Sequence, residues 1–269
     1  MTTQMLDRPA VHPAAHPRRS NIVAIGSGKG GVGKTWLAIT LAHAFARRGL
    51  RTLLFDGDLG LANVDIQLGL MPDRDLGTVL AGNATLAEVV THTDAGFDVI
   101  AGKSGSLSLA SLAVPELVRL RADLLALSAR YDQVVIDLGA GIDHAVRILS
   151  GASATPLVVT NDEPTALTDA YALIKLTLQE DPQAALRVVV NNAASPREGE
   201  RTYAKLLRAC EGFLKMSPQL AGVVRRDTKV RDAIRHQMPL LMRHPGADAA
   251  QDVEAIADRL VPVRTAAVS

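Results

Sequence analysis

One stretch, residues 22 to 35, limits what this chain can become more than any other. Ile22-Val-Ala-Ile-Gly-Ser27 is a short apolar run, and Gly28-Lys-Gly-Gly-Val-Gly-Lys-Thr35 is a glycine-rich turn that opens into a helical pattern. The turn fits G-x-x-x-x-G-K-[ST], a phosphate-binding loop. Backbone N–H groups of Gly28, Lys29, Gly30, Gly31, Val32 and Gly33 would fold inward around phosphate oxygens, in a curvature that side chains would block. The helix starting near Gly33 adds the positive end of its dipole to the same anion. Lys34 is placed to reach β- and γ-phosphates, and the Thr35 hydroxyl to ligate Mg²⁺. Trp36, the one tryptophan, follows in the first turn of the helix, beside the loop that must tighten around phosphate.

Around this loop the pattern alternates short β runs with helical segments, which predicts a mostly parallel, doubly wound α/β sheet with helices on both faces. The expected strands are 22–27, Thr52–Phe55, Phe97–Ile100, Gln133–Ile136, Pro156–Thr160, Leu186–Val190 and Leu220–Val224. After the first helix, through Arg48, helices are expected over 63–69, 76–81, 85–90, 114–130, 142–149, 164–180, 199–214, 228–237 and 248–261. Residues 1–20 carry Pro9, Pro13 and Pro17 without a hydrophobic period and read as a disordered tail. Residues 21–261 then form one P-loop domain, and 262–269 a flexible end.

At 269 residues, 48% hydrophobic and 21% charged, the chain can bury a real core. A net charge of +1 gives no electrostatic case for nucleic acid. A single cysteine, Cys210, excludes an internal disulfide and a cysteine-rich metal or iron–sulfur site within one chain. No apolar run reaches the length of a membrane span, and residues 1–20 lack a signal peptide's apolar core, so a cytoplasmic location is expected.

In open α/β sheets ligands sit beyond the carboxyl ends of the strands. Val134-Val-Ile-Asp137 is an apolar run ending in Asp, which would hold Mg²⁺ through its water shell. Leu138-Gly-Ala-Gly141 follows, flexible enough to respond to a γ-phosphate. Asp56-Gly-Asp58 ends the second strand. Two carboxylates aimed at a phosphate site repel it unless they hold Mg²⁺ or position the attacking water.

Lys29, inside the loop, makes K-G-G-V-G-K-T, which resembles the deviant Walker motif of the MinD/ParA family of ATPases. The resemblance implies ATP and Mg²⁺ as ligands, an ATP-dependent homodimer, and a Lys29 that crosses the interface to the partner's nucleotide. It implies that Asp58 orients the hydrolytic water, that Asp56 supports Mg²⁺, and that Asn191 reads the purine edge. The loop from Gly222 through Arg225 to Asp227 matches the one flanking the base, with Arg225 where a proline is usual. Asp56-Gly-Asp-Leu-Gly-Leu-Ala-Asn-Val-Asp-Ile-Gln-Leu-Gly-Leu70, Val159–Lys175 and Val188–Asn192 resemble the FlhG (also FleN) branch, which counts and places flagella. That branch implies a flagellar partner such as the GTPase FlhF or a basal-body or regulator protein. Its Asp-Gln-Ala helix for FlhF stimulation is missing from residues 1–20.

Membrane contact, a family trait, would place the chain at the inner face of the membrane through a basic C-terminal helix. Here Val253, Ile256, Ala257 and Leu260 form an apolar stripe, but Asp248, Asp252, Glu254 and Asp258 make the polar side acidic, which anionic lipid repels. The alternatives are a ParA-type DNA-partitioning ATPase, which needs salt-sensitive DNA binding, and a MinD-type division-site ATPase, which the acidic helix opposes.

Overall fold

The computed structural model describes residues 21–102 and 112–261, so the tails expected over 1–20 and 262–269 lie outside the described residues. Eight strands form one sheet: β1 (Ile22–Ser27), β2 (Thr52–Gly57), β3 (Thr91–His92), β4 (Asp98–Ile100), β5 (Gln133–Ala140), β6 (Thr155–Thr160), β7 (Arg187–Ala193) and β8 (Gln219–Arg225). Their order is β3-β4-β2-β5-β1-β6-β7-β8. All neighbours run parallel except β3, which is antiparallel to β4 at one edge.

The helices are α1 (Lys34–Arg47), α2 (Val64–Leu68), α3 (Leu76–Leu80), α4 (Val114–Ser128), α5 (His144–Ser150), α6 (Pro164–Glu180), α7 (Pro196–Ala209), α8 (Thr228–Arg235), α9 (Leu240–Arg243) and α10 (Asp248–Leu260). Their starts have local causes. The Asp143 side chain accepts from Val146 N at 2.9 Å and opens α5, and the Ser195 hydroxyl accepts from Glu198 N at 3.2 Å ahead of Pro196 at the head of α7. Gly49, with φ 75°, ends α1 in the left-handed conformation.

Strand residues alternate between two cores, as a sheet covered on both faces requires. Val23, Ile25, Leu54 and Val135 face α1, α8, α9 and α10. Ile22, Ala24, Leu53 and Val134 face α4 to α7. The apolar stripe of the last helix is used in this packing. Val253, Ile256 and Ala257 of α10 are buried, while Glu254 and Asp258 pair with Arg47 and Arg48 of α1 at the solvent edge.

Four local features differ from the sequence expectation. The short edge strand β3 and the four-residue α9, which buries Leu240 and Leu241, have too few residues to show a period. The segment expected to be a helix at 85–90 is a 3₁₀ turn, Leu86–Val89. The helix expected over 199–214 starts at Pro196 and gives way to a π turn at Cys210–Leu214.

Candidate active site

β1 sits between β5 and β6, so the loop that leaves it opens at the centre of the carboxyl edge. At two of its glycines the chain around it leaves no room for a side chain. A Cβ added to Gly28 would lie 2.2 Å from the Asp169 carbonyl oxygen of α6, and one on Gly33 would lie 2.4 Å from Asn191 Nδ2. Gly33 also takes φ 93°. The Ser27 hydroxyl donates to Lys29 O at 2.6 Å, and Asn191 Nδ2 donates to Val32 O at 2.7 Å. Asn191 therefore braces the loop as well as facing the space beside it.

Lys34 is buried at 8% exposure. Burial pulls its pKa below the usual lysine value, and the charges of Asp137 and Asp58 oppose that pull. The ammonium is a desolvated cation beside two carboxylates, a strong receptor for an anion.

β2 and β5 are adjacent, and Asp56 stands opposite Asp137 in the ladder. Both are buried. Asp56 Oδ1 accepts from Asp58 N at 3.2 Å, and Oδ2 from Asn63 N and Val64 N at 3.1 Å each. Burial still pushes its carboxyl up to about 7. Asp137 rises to about 8, through burial first and the charge of Asp56 second, with a hydrogen bond to the Thr35 side chain opposing. Asp137 Oδ1 is buried with no hydrogen-bond partner. A buried carboxylate oxygen left over beside a threonine hydroxyl is the hard-oxygen donor set that Mg²⁺ takes. Among the described residues there is no cage of three or more His, Cys, Asp or Glu, so such an ion would complete its shell with phosphate and water. The residues fit Mg²⁺, which Thr35 and Asp137 would hold; the Asp56 carboxylate beside them accepts from three backbone N–H groups.

Asp58 follows on the loop after β2, where its Oδ1 accepts from Leu61 N at 3.0 Å. A Cβ added to Gly139 would come 3.4 Å from the same oxygen, so the two segments expected to act as switches touch here.

Beside the loop lies a cavity of about 470 Å³ walled by Gly33, Trp36, Asn161, Asn191, Arg225 and Arg226. Its size suits a nucleoside. Trp36 is buried and packs into the α1-side core, its indole N–H without a partner. The Arg225 guanidinium is committed to α10: Nε to Asp252 Oδ2 at 2.8 Å and Nη1 to Asp248 Oδ1 at 2.9 Å. Its neighbour Arg226 donates from Nε to Asn192 Oδ1 at 3.2 Å.

Lys29 points to its own subunit. Its ammonium binds the Glu163 carboxylate, and the Thr165 hydroxyl at 2.8 Å. Asn161 and Glu163 were assigned no role from sequence. The available signal was their position at the carboxyl end of β6, the strand next to the phosphate loop.

A doubly wound parallel sheet with this loop, a loop threonine bonded to a buried strand-end aspartate and a further strand-end aspartate defines a P-loop nucleotide-binding ATPase. The family model described as CobQ/CobB/MinD/ParA nucleotide binding domain matches residues 23–240. The chain is 38% identical over 239 residues to the antiactivator FleN of Pseudomonas aeruginosa, covering 89% of this chain and 85% of that one. It is 30% identical over 243 residues to the flagellum site-determining protein YlxH of Helicobacter pylori, covering 90% and 82%. The cell division ATPase MinD of Pyrococcus furiosus superposes with a TM-score of 0.75 at 26% identity, covering 90% and 98%. This chain belongs to the CobQ/CobB/MinD/ParA nucleotide-binding family.

Proposed function

We propose that the chain is an ATP-dependent dimerising switch with slow ATP hydrolysis that sets flagellar number or placement. The observation that carries this reading is the single crevice where Lys34, Thr35, Asp137 and Asp58 converge, in a chain 38% identical to an antiactivator named FleN. The loop amides and Lys34 bind the phosphates. Thr35 and Asp137 hold Mg²⁺, which when bound supplies positive charge to the phosphate oxygens. Asp58, free on one side of its carboxylate, orients the attacking water. Lys29 acts in trans on the partner's nucleotide, in the manner of an arginine finger.

Asn191 reads the adenine edge. One N–H of its amide is committed to Val32 O, and the oxygen and second N–H remain to pair with the amine and the ring nitrogen of that edge.

We place the protein in the cytoplasm, acting on a protein of the flagellar system, whether FlhF, a basal-body protein or a regulator. Among the described residues no helix is long and apolar enough to cross a membrane. A protein partner has a surface to meet: Phe213 is 79% exposed and stands edge-on to Tyr171 in an apolar cleft with Leu167, Leu206 and Ala209.

The test is a chromosomal Asp58→Ala replacement beside a deletion, with flagella counted by electron microscopy. An altered number or position in both supports the flagellar role. Unchanged flagella in both contradict it, and leave the ATPase assignment to be judged on the purified protein.

A further inference from the structure

The cavity beside the phosphate loop has one wall that is held from behind. β8 is an edge of the sheet, and its last residue, Arg225, opens the segment that lines the cavity with Arg226 and Asp227. An arginine here brings a backbone N–H that needs an acceptor and a φ that its own side chain does not fix, unlike a proline. Asp252 of α10 answers both. Its Oδ2 accepts from Arg225 N at 2.9 Å and from Nε at 2.8 Å, and its Oδ1 from Nη2 at 2.9 Å. One carboxylate thus holds the main chain and the side chain of one residue. The helix that carries it is firmly seated on the strand. Ile256 is buried against Gly222, where an added Cβ would come 2.5 Å from its Cγ1, and Arg259 Nη1 donates to Ala221 O at 2.8 Å.

We propose that Asp252 is a positioning residue: through Arg225 it fixes the wall of the base cavity and so sets the preference for adenine. This rests on the reading of the cavity as an ATP site. Asp252 stands behind the wall, while Arg225 is part of it. The pair is a two-pronged, charged contact whose side chains are 27% and 16% exposed. Such a fork holds geometry better than an open surface pair does. The constraint passes along the wall. Arg226 N donates to Ala193 O at 2.8 Å, and Arg226 Nε to Asn192 Oδ1 at 3.2 Å. Asn192 directly follows Asn191, the residue assigned to the adenine edge. An amide discriminates a base edge only when it is held to within about 0.5 Å by the residues around it. The phosphates are bound by the loop amides and Lys34, which Asp252 does not touch. The clamp therefore acts on recognition of the base.

The experiment uses the full chain, Asp252→Ala, which removes the clamp at a helical position that alanine suits, and Asp252→Glu, which keeps the carboxylate. Each protein is titrated by calorimetry with Mg-ADP and with Mg-GDP. The diphosphates share their phosphates and differ in the base, and neither brings a γ-phosphate that would add subunit pairing to the signal.

Asp252→Ala is expected to bind Mg-ADP roughly tenfold more weakly, the scale on which supporting residues tune a site, and Mg-GDP within about twofold of the parent, so that the preference for adenine falls. Asp252→Glu should recover part of that preference. A general loosening of the fold would weaken both ligands alike. Unchanged Mg-ADP affinity in Asp252→Ala, equal losses for the two ligands, or a loss that Asp252→Glu does not recover overturns the positioning role alone. A parent that binds the two diphosphates equally overturns it together with the assignment of Asn191. A parent that binds neither overturns it together with the ATP-site reading.

Discussion

At the scale of single residues the site divides its labour between groups that hold charge and groups that direct chemistry. Lys34 is buried and is proposed as the counter-ion of the phosphates, so Lys34→Ala should weaken Mg-ATP binding at least about 100-fold by calorimetry. Asp58 lies outside that cradle. Asp58→Ala should bind ATP as the parent does while hydrolysis falls at least about 100-fold, leaving a trapped dimer. A variant that turns over at the parent rate would remove Asp58 from the mechanism. The phosphate loop and the aspartates were legible in the sequence because each lies in a few contiguous residues whose chemistry has one main use. The contacts that set their state were not. Lys29 meets Glu163 across 134 positions, and the Arg225 guanidinium, at the cavity wall, is held by Asp252. Spacing within one segment carries no information on such partners.

At the scale of elements, parallel strands were readable because burial on both faces makes them continuous apolar runs. Helix ends and the edge strand were less so, since short segments lack a period. Helix α1 shows how much an element can depend on its surroundings. His43 lies within it at 4% exposure, its ring 6.0 Å from that of Phe97 and its Nδ1 without a partner. Burial first, and the Arg47 charge second, lower its pKa to about 4. The folded value lies below the unfolded one, so the unfolded chain binds the extra proton. Stability from a neutral His43 is therefore complete above pH 6.5 and is lost as pH falls from there toward 4. Denaturant titrations should show the parent losing about 2 kcal/mol more than His43→Leu between pH 7 and pH 5. Equal pH slopes for the two proteins would show that His43 is not buried in neutral form.

At the scale of the molecule, the sheet order brings three strand ends and one loop to a single crevice, and the rest of the chain supports that convergence. β1 supplies the phosphate loop, β5 the Asp137 carboxylate, and β2 the Asp56-Gly-Asp58 turn that touches Gly139. β1 and β2 both pair with β5, so filling the crevice bears on three neighbouring strand ends. Trp36, in the cavity wall, should report this as a change in emission when Mg-ATP binds. The central claim is that γ-phosphate occupancy is read out as subunit pairing through Lys29. It is tested most directly by light scattering of the purified chain over a range of protein concentrations. The conditions are no nucleotide, Mg-ADP, and a non-hydrolysable Mg-ATP analogue, for the parent and for Lys29→Ala. A monomer is expected in every condition except the parent with the ATP analogue, which should show a concentration-dependent dimer. The same mass in all conditions, or a Lys29→Ala protein that dimerises as the parent does, would contradict it.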